Sequence, residues 1–370
     1  MSCSCFGASS VKRKDDDGNG SGDFQGHSLG NIKTFSYKEL RTATDNFHPR
    51  NKIGRGGFGT VYKGILINGI EVAVKTLSAQ SKQGVREFLT EIDIISNVRH
   101  TNLVQLIGCC VQETNRILVY EFLQNKSLDI ALLGSQAKST TLDWERRSSI
   151  CKDTARGLAY LHEEVVPPIV HRDIKASNIL LDKDFVPKIG DFGLAKLFPD
   201  NITHISTRIA GTAGYLAPEY VLGGQLTKKA DVYSFGVLML EIVSGKNSGK
   251  ANPVTGMQKL LLEWAWQLYE EERLLEMVDP ALEGFPEEEM TRYIKIAFFC
   301  TQATASRRPT MSQVVDMLTK NHRLNEKELL APGFPQDTSA RSSSTNKSPS
   351  TSTSNQMSSV PISITQVTPR

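Results

Sequence analysis

The stretch His171-Arg172-Asp173-Ile174-Lys175-Ala176-Ser177-Asn178, answered further along by Asp191-Phe192-Gly193, decides how the rest of the chain is read. Taken singly, Asp173 or Asp191 would read as a helix cap or a loop turn, because short acidic side chains readily bond nearby backbone N–H groups. Paired, and grouped with Lys175 and Asn178, the two acids point to chemistry instead.

Upstream, Ile53-Gly54-Arg55-Gly56-Gly57-Phe58-Gly59-Thr60-Val61 carries glycines whose missing side chains let backbone N–H groups approach phosphate oxygens. By itself this is a weak signal. A dinucleotide fold would need a helix directly after the glycines, whereas strand-like sequence follows here. Lys75 closes Val72-Ala73-Val74, where a returning strand would carry its ammonium beneath the glycine loop. A cation there can hold two phosphates. Glu91 lies between the core-facing Phe88 and Ile92, on a helix edge from which it could pair with Lys75, and Glu87 is the alternative one turn earlier. The stretch Gly245 to Ala251 lacks the spacing and the hydroxyl of a phosphate-binding Walker loop.

The surrounding pattern predicts two lobes. Gly59 to Leu66 and Glu71 to Lys75 read as strands joined at Asn68-Gly69, a hairpin turn, and Leu103 to Val111 and Arg116 to Phe122 return to strand chemistry. Between them Val85, Phe88, Leu89, Ile92 and Ile95 recur at helical spacing. After Asn125 the pattern turns mostly helical, with Ile150, Thr154, Leu158 and Leu161 on one face and Val232 to Val243 apolar nearly all round. The expected fold class is α+β: a small antiparallel-sheet lobe with one main helix (about 47–124) and a larger, mainly helical lobe (about 125–325). Residues 1–33 read as a flexible leader, and 326–370 as a disordered Ser/Thr-rich tail.

Composition sets outer limits. With 370 residues, 39% hydrophobic and 22% charged, the chain has apolar material for more than one core, which excludes global disorder. A net charge of +3 is too small a bias to imply a nucleic-acid surface. Six cysteines, at 3, 5, 109, 110, 151 and 300, have neither the density nor the spacing of a disulfide framework or zinc cluster, which suits a reducing compartment. No apolar run approaches the roughly 20 residues of a membrane span, and no secretory signal precedes Lys12-Arg13-Lys14, so a cytoplasmic location is expected.

In order and spacing, the glycine loop, Lys75, Glu91, His171 to Asn178, Asp191-Phe192-Gly193 and Ala217-Pro218-Glu219 resemble the protein kinases over roughly residues 47 to 320. Phe35-Ser36-Tyr37-Lys38-Glu39-Leu40, Thr44-Asp45-Asn46-Phe47 and Gly211-Thr212-Ala213-Gly214-Tyr215 through Glu219-Tyr220 are similar to the plant receptor-like and Pelle-type kinases. The cytoplasmic branch is the nearest in character, notably the cold-responsive protein kinase group. The resemblance implies a serine/threonine protein kinase that uses ATP and Mg2+ on protein substrates, with receptor-like kinases upstream in plant signalling. It implies that Asp173 orients the substrate hydroxyl and accepts its proton, that Lys175 steadies the γ-phosphate, and that Asn178 and Asp191 hold Mg2+. Lys75, positioned by Glu91, would grip the α- and β-phosphates. Ile53, Gly54, Gly56, Gly59, Val61, Ala73 and Leu180 would enclose the nucleotide, with Tyr120 as gatekeeper and the backbone of Glu121 and Leu123 at the adenine edge. Phe192, Ile95, Leu106 and His171 would stack as an internal column, Asp231 would anchor the catalytic loop, and Arg308 would pair with Glu219. A catalytically silent scaffold of the same fold is the alternative, and the presence of Lys75, Asp173, Asn178 and Asp191 argues against it.

Regulation is expected in two places. Arg172 would meet a phosphate on Thr203, Ser206, Thr207 or Thr212, with Thr207 first because the Thr212 hydroxyl could instead bond Asp173 and Lys175, and Lys196 would assist. Without that anion Arg172 would face an unmatched positive pocket; the alternative is that these hydroxyls are merely solvated and Arg172 rests on a nearby carboxylate or backbone carbonyl. Ser2 excludes N-myristoylation, but Cys3 and Cys5, acylated and helped by the basic run, would bring the chain to the inner face of the plasma membrane.

Overall fold

The alternating residues of the predicted hairpin do pair. Gly59–Ile65 and Glu71–Leu77 run antiparallel, with Val61 opposite Lys75 and Lys63 opposite Ala73, and Gly69 takes φ +80° in the turn between them. The computed structural model describes residues 32–334, apart from 57–58, 79–80, 97, 135–141, 200–201, 249–259 and 321–322.

The smaller lobe holds β1 (Lys33–Thr34), α1 (Tyr37–Ala43), β2 (Lys52–Arg55), β3 (Gly59–Ile65), β4 (Glu71–Leu77), α2 (Lys82–Ile95), β5 (Leu106–Gln112) and β6 (Asn115–Glu121). Its strands lie in the order β1-β5-β6-β4-β3-β2. The sheet is not wholly antiparallel: β1 pairs parallel to β5, Lys33 opposite Gly108 and Thr34 opposite Cys109. Lys33, placed by the sequence reading at the end of the leader, is thus a sheet residue, and so short a strand carries no periodic signal that would announce it.

Period-two alternation gives the sheet two different faces. Val72, Val74, Cys110, Ile117 and Val119 point to one side, where Phe35 and Leu40 of the N-terminal segment complete a buried cluster. Ala73 and Lys75 point to the other. There α2 packs with Phe88, Ile92 and Ile95 buried, its N-terminus capped by Ser81 Oγ accepting from the Gly84 N–H at 3.2 Å.

The larger lobe continues through α3 (Leu128–Leu133), α4 (Trp144–Ala159), β7 (Ile169–Val170), β8 (Ile179–Leu181), β9 (Pro187–Ile189), β10 (Lys196–Leu197), β11 (Ile205–Ser206), α5 (Pro218–Gly223), β12 (Gln225–Leu226), α6 (Lys228–Ser244), α7 (Leu261–Glu270), α8 (Glu287–Thr301) and α9 (Met311–Thr319). Helix α6 is buried without a break from Ala230 to Ser244, as its all-round apolar sequence requires. The β8–β9 hairpin sets the catalytic stretch before it and Asp191 after it. Residues 326–334, assigned by composition to the disordered tail, are ordered. Glu326–Glu328 forms a single helical turn, Pro332 bridges Gln302, and Pro332 and Gly333 are buried. Their backbone hydrogen bonds to the end of α8, which no local pattern announces, hold them in place.

Candidate active site

Helix α2 faces the sheet so that Lys75 Nζ lies 2.6 Å from Glu91 Oε1, and the same ammonium reaches Asp191 Oδ1 of the other lobe at 2.8 Å. Burial works against a charged Lys75, but the Asp191 and Glu91 carboxylates outweigh it and raise its pKa, so it stays cationic. The Lys75 charge in turn holds Asp191 down to about 2. Glu87 does not join the pair. It accepts from Gln83 Nε2 at 3.1 Å and packs against Gly193, and burial pushes it up to about 7. Tyr120 does something its apolar-slot role did not suggest: its hydroxyl donates to Glu91 Oε2. Buried Glu91 thus has a partner on each oxygen. A register-based signal existed, since Tyr120 lies opposite Ala73 on β4, yet nothing in the sequence tied it to a residue on α2.

Asp173 is the most heavily bonded acid of the group. Thr212 Oγ1 donates to Oδ1 at 2.7 Å, while Lys175 Nζ at 2.8 Å and Asn178 Nδ2 at 3.1 Å reach Oδ2. Lys175 also donates to Thr212 Oγ1 at 2.8 Å, which closes a ring of contacts between the catalytic stretch and residue 212. Asn178 Nδ2 further bonds the Asp173 carbonyl at 2.8 Å, so the amide nitrogen is engaged and Oδ1 is left as its acceptor. Asp191 adopts φ +63°, a left-handed conformation that asparagine and aspartate tolerate better than other residues, and its side chain is half exposed.

The loop carrying Asp173 hangs from α6. Asp231 accepts the N–H groups of His171 at 2.7 Å and Arg172 at 2.8 Å, and faces His162 Nε2 at 3.0 Å. Burial alone would raise its pKa, but these donors leave it lowered. The His171 and Phe192 rings meet edge to face at 4.8 Å, and Ile95 and Leu106 are buried in the smaller lobe. Arg308 forks onto Glu219 through both nitrogens, at 2.7 and 2.8 Å.

Val61, Ala73 and Leu180 are half-buried, and Leu123 is buried. Ile53 is 48% exposed. The glycines differ among themselves. A Cβ on Gly59 would fall 2.3 Å from the Thr76 carbonyl, so strand packing demands glycine there, whereas at Gly56 nothing lies within 4 Å. Glu121 uses its carboxylate to hold the Gln105 N–H at 2.8 Å and Lys188 at 2.9 Å.

Arg172 rests on neutral acceptors, the alternative to the phosphate contact that the sequence leaves open, and no carboxylate among the described residues meets its charge. Its guanidinium donates to the carbonyls of Leu194 at 3.0 Å and Arg208 at 2.9 Å and to the Tyr220 hydroxyl at 2.5 Å. Two backbone carbonyls and a phenol supply the acceptors, while the buried Nε has none. Thr203 and Ser206 are exposed, while Thr207 and Thr212 are half-buried. Cys3 and Cys5 lie outside the described residues.

Residues 47–318 match the family model described as protein tyrosine and serine/threonine kinase. The chain is 55% identical over 312 residues to cold-responsive protein kinase 1 of Arabidopsis thaliana, covering 84% of this chain and 80% of that one. It is 56% identical over 286 residues to a probable LRR receptor-like serine/threonine-protein kinase of the same plant, which covers 77% of this chain but 27% of the relative. A probable leucine-rich repeat receptor-like serine/threonine-protein kinase, also from Arabidopsis thaliana, is 53% identical over 300 residues, 81% of this chain and 29% of its own length. The chain thus spans under a third of those two receptor-like relatives.

Proposed function

The chain belongs to the protein kinase family and is a serine/threonine protein kinase, and on that footing we propose which of its residues carry the transfer. The observation that supports the assignment most is the ring of bonds joining Asp173, Lys175, Asn178 and Thr212. Asp173 orients the hydroxyl of the protein substrate and takes its proton as the new O–P bond forms and the bond to the leaving diphosphate breaks. Lys175, already beside Asp173, lends positive charge to the transferring group. Lys75, held by Glu91, grips the inner phosphates.

The family implies ATP, usually with Mg2+. Asp191, kept anionic by Lys75, and the Oδ1 of Asn178 are hard oxygen donors, the set such a cation takes. Bound there, the metal would neutralise charge spread over the phosphoryl oxygens. Val61, Ala73 and Leu180 line the adenine slot, Ile53 and Gly54 flank its mouth, Gly56 leaves room for close phosphate approach, and Glu121 and Leu123 meet the base through backbone groups. Nothing in the site favours a silent scaffold. The catalytic unit runs from about Lys33 to Phe334.

Loop phosphorylation tunes this site. Lys196 has its pKa lowered by burial and by the charges of Arg172 and Arg86, and this gathering of cations supports an anion's arrival. Thr207 directly precedes Arg208, whose carbonyl Arg172 holds, and remains the first candidate ahead of Thr203, Ser206 and Thr212. The acceptors Arg172 meets are neutral, and a phosphate would add the opposite charge that they do not supply. Receptor-like kinases are the class of upstream partner. No helix among the described residues is long and apolar enough to cross a membrane, and acylation at Cys3 and Cys5 remains our proposal for attachment to the plasma membrane. The test is phosphopeptide mapping of the purified chain with Mg-ATP, beside Lys75→Met and a phosphatase-treated sample. We expect phosphoserine and phosphothreonine products, loss of transfer in Lys75→Met, and reduced but measurable activity after phosphatase. Full activity in Lys75→Met would remove that residue from the mechanism.

A further inference from the structure

Beyond residue 318, where the family match ends, the chain turns back beneath the segment that presents Thr212 to Asp173. The return is built residue by residue. The Ala303 N–H reaches the Ala331 carbonyl at 3.4 Å and the Gly333 N–H reaches the Thr301 carbonyl at 3.0 Å, so the strap pairs with the chain leaving α8. Buried Tyr233 of α6 donates its hydroxyl to the Gly333 carbonyl at 2.7 Å. Gly333 fits so closely that an added Cβ would stand 2.6 Å from Pro218 Cγ and 2.9 Å from Ala303 Cα. Phe334 then closes a small cavity of about 40 Å³ whose walls include Gly214, Leu216, Tyr233 and Val237.

The hydrogen bonds seat the strap on α6 and the end of α8, and Gly333 and Phe334 then meet one segment. Gly214, Leu216 and Pro218 belong to the segment that begins at Gly211 and ends on Glu219, itself clamped by Arg308. Arg308 in turn donates to the Gln302 carbonyl at 2.8 Å and lies over the Tyr233 ring at 5.0 Å, touching the residues that seat the strap. We propose that Ala331–Phe334 is a positioning element for substrate recognition: it supports residues 211–219 from below and thereby holds Thr212 against Asp173 and Lys175. The inference rests on the kinase reading for its consequence in catalysis, but not for its consequence in structure.

Packing gives the expected effects. A side chain at residue 333 must push Pro218 away, and loss of the Phe334 ring removes one wall of the cavity. Neither change touches the nucleotide. In the full chain, Gly333→Val and Phe334→Ala should each raise KM for a serine peptide about five- to tenfold while KM for ATP stays within about twofold. Phe334→Leu should restore most of the loss. Amide exchange supplies the readout that needs no activity: protection of residues 211–219 should fall in Gly333→Val while that of α2 and β4 is unchanged. Peptide KM at the native value together with native protection of 211–219 would overturn the proposal. So would equal losses for peptide and ATP with protection falling throughout the chain, since that marks general destabilisation. If the native chain transfers no phosphate, the kinase assignment fails while the exchange result still decides the strap.

Discussion

Glu87 and Glu91 stand one helical turn apart on α2, and sequence spacing alone allowed either to meet Lys75. The decision is made by neighbours distant in sequence: Tyr120 and Lys75 converge on Glu91, while Glu87 is turned toward Gln83 and Gly193. Glu91→Gln should therefore raise KM for ATP and lower kcat/KM by about 10- to 100-fold, with Glu87→Gln within about threefold of the native value. Steady-state kinetics on both variants checks this, and the reverse ranking would transfer the pairing role. Glu87 also makes a pH prediction. Its folded pKa of about 7 lies above the ordinary 4.5, so the unfolded chain releases that proton first as pH rises. Its contribution is then a loss of stability between pH 4.5 and 7, complete above that window. Relative to the native chain, Glu87→Gln should gain about 1–3 kcal/mol in urea unfolding between pH 5 and pH 8. A difference that is flat with pH would mean that Glu87 ionises normally.

The elements show what periodicity can and cannot reveal. Strands β3, β4, β5 and β6 and helices α2 and α4 were legible from their apolar patterning, and α6 from its unbroken apolar sequence, since burial of apolar side chains is the dominant favourable contribution to folding. Strand β1 was not. It consists of Lys33–Thr34 and exists because Gly108 leaves room for it, a Cβ there falling 2.2 Å from the Lys33 carbonyl and 2.6 Å from the Phe35 ring. Phe35 behind it is 3% exposed in the cluster of Val72, Val74, Cys110, Ile117 and Val119. Phe35→Ala should consequently destabilise the chain by about 3–5 kcal/mol in denaturant unfolding, the usual cost of deleting a core phenylalanine. A loss below about 1 kcal/mol would show that the N-terminal segment is an appendage.

At the scale of the whole molecule, two lobes meet where Lys75 of one touches Asp191 of the other at 2.8 Å, across 116 residues of sequence. Motif order told that these residues belong together, since phosphoryl transfer needs cations, oxygen donors and a base around one point. It could not tell which groups Arg172 meets, the Leu194 and Arg208 carbonyls and the Tyr220 hydroxyl, or that the chain after α9 returns to Tyr233. Such contacts depend on tertiary placement, and backbone carbonyls carry no residue-type signature. The most direct test of the assignment is γ-phosphate transfer from Mg-ATP to a serine-containing protein substrate by the native chain and by Asp173→Asn, both verified as folded by thermal unfolding. The bonding around Asp173 predicts robust transfer by the native chain and a loss of about a thousandfold or more in Asp173→Asn, with ATP binding retained. Transfer by Asp173→Asn at the native rate, in a preparation free of other kinases, would contradict the central role of Asp173.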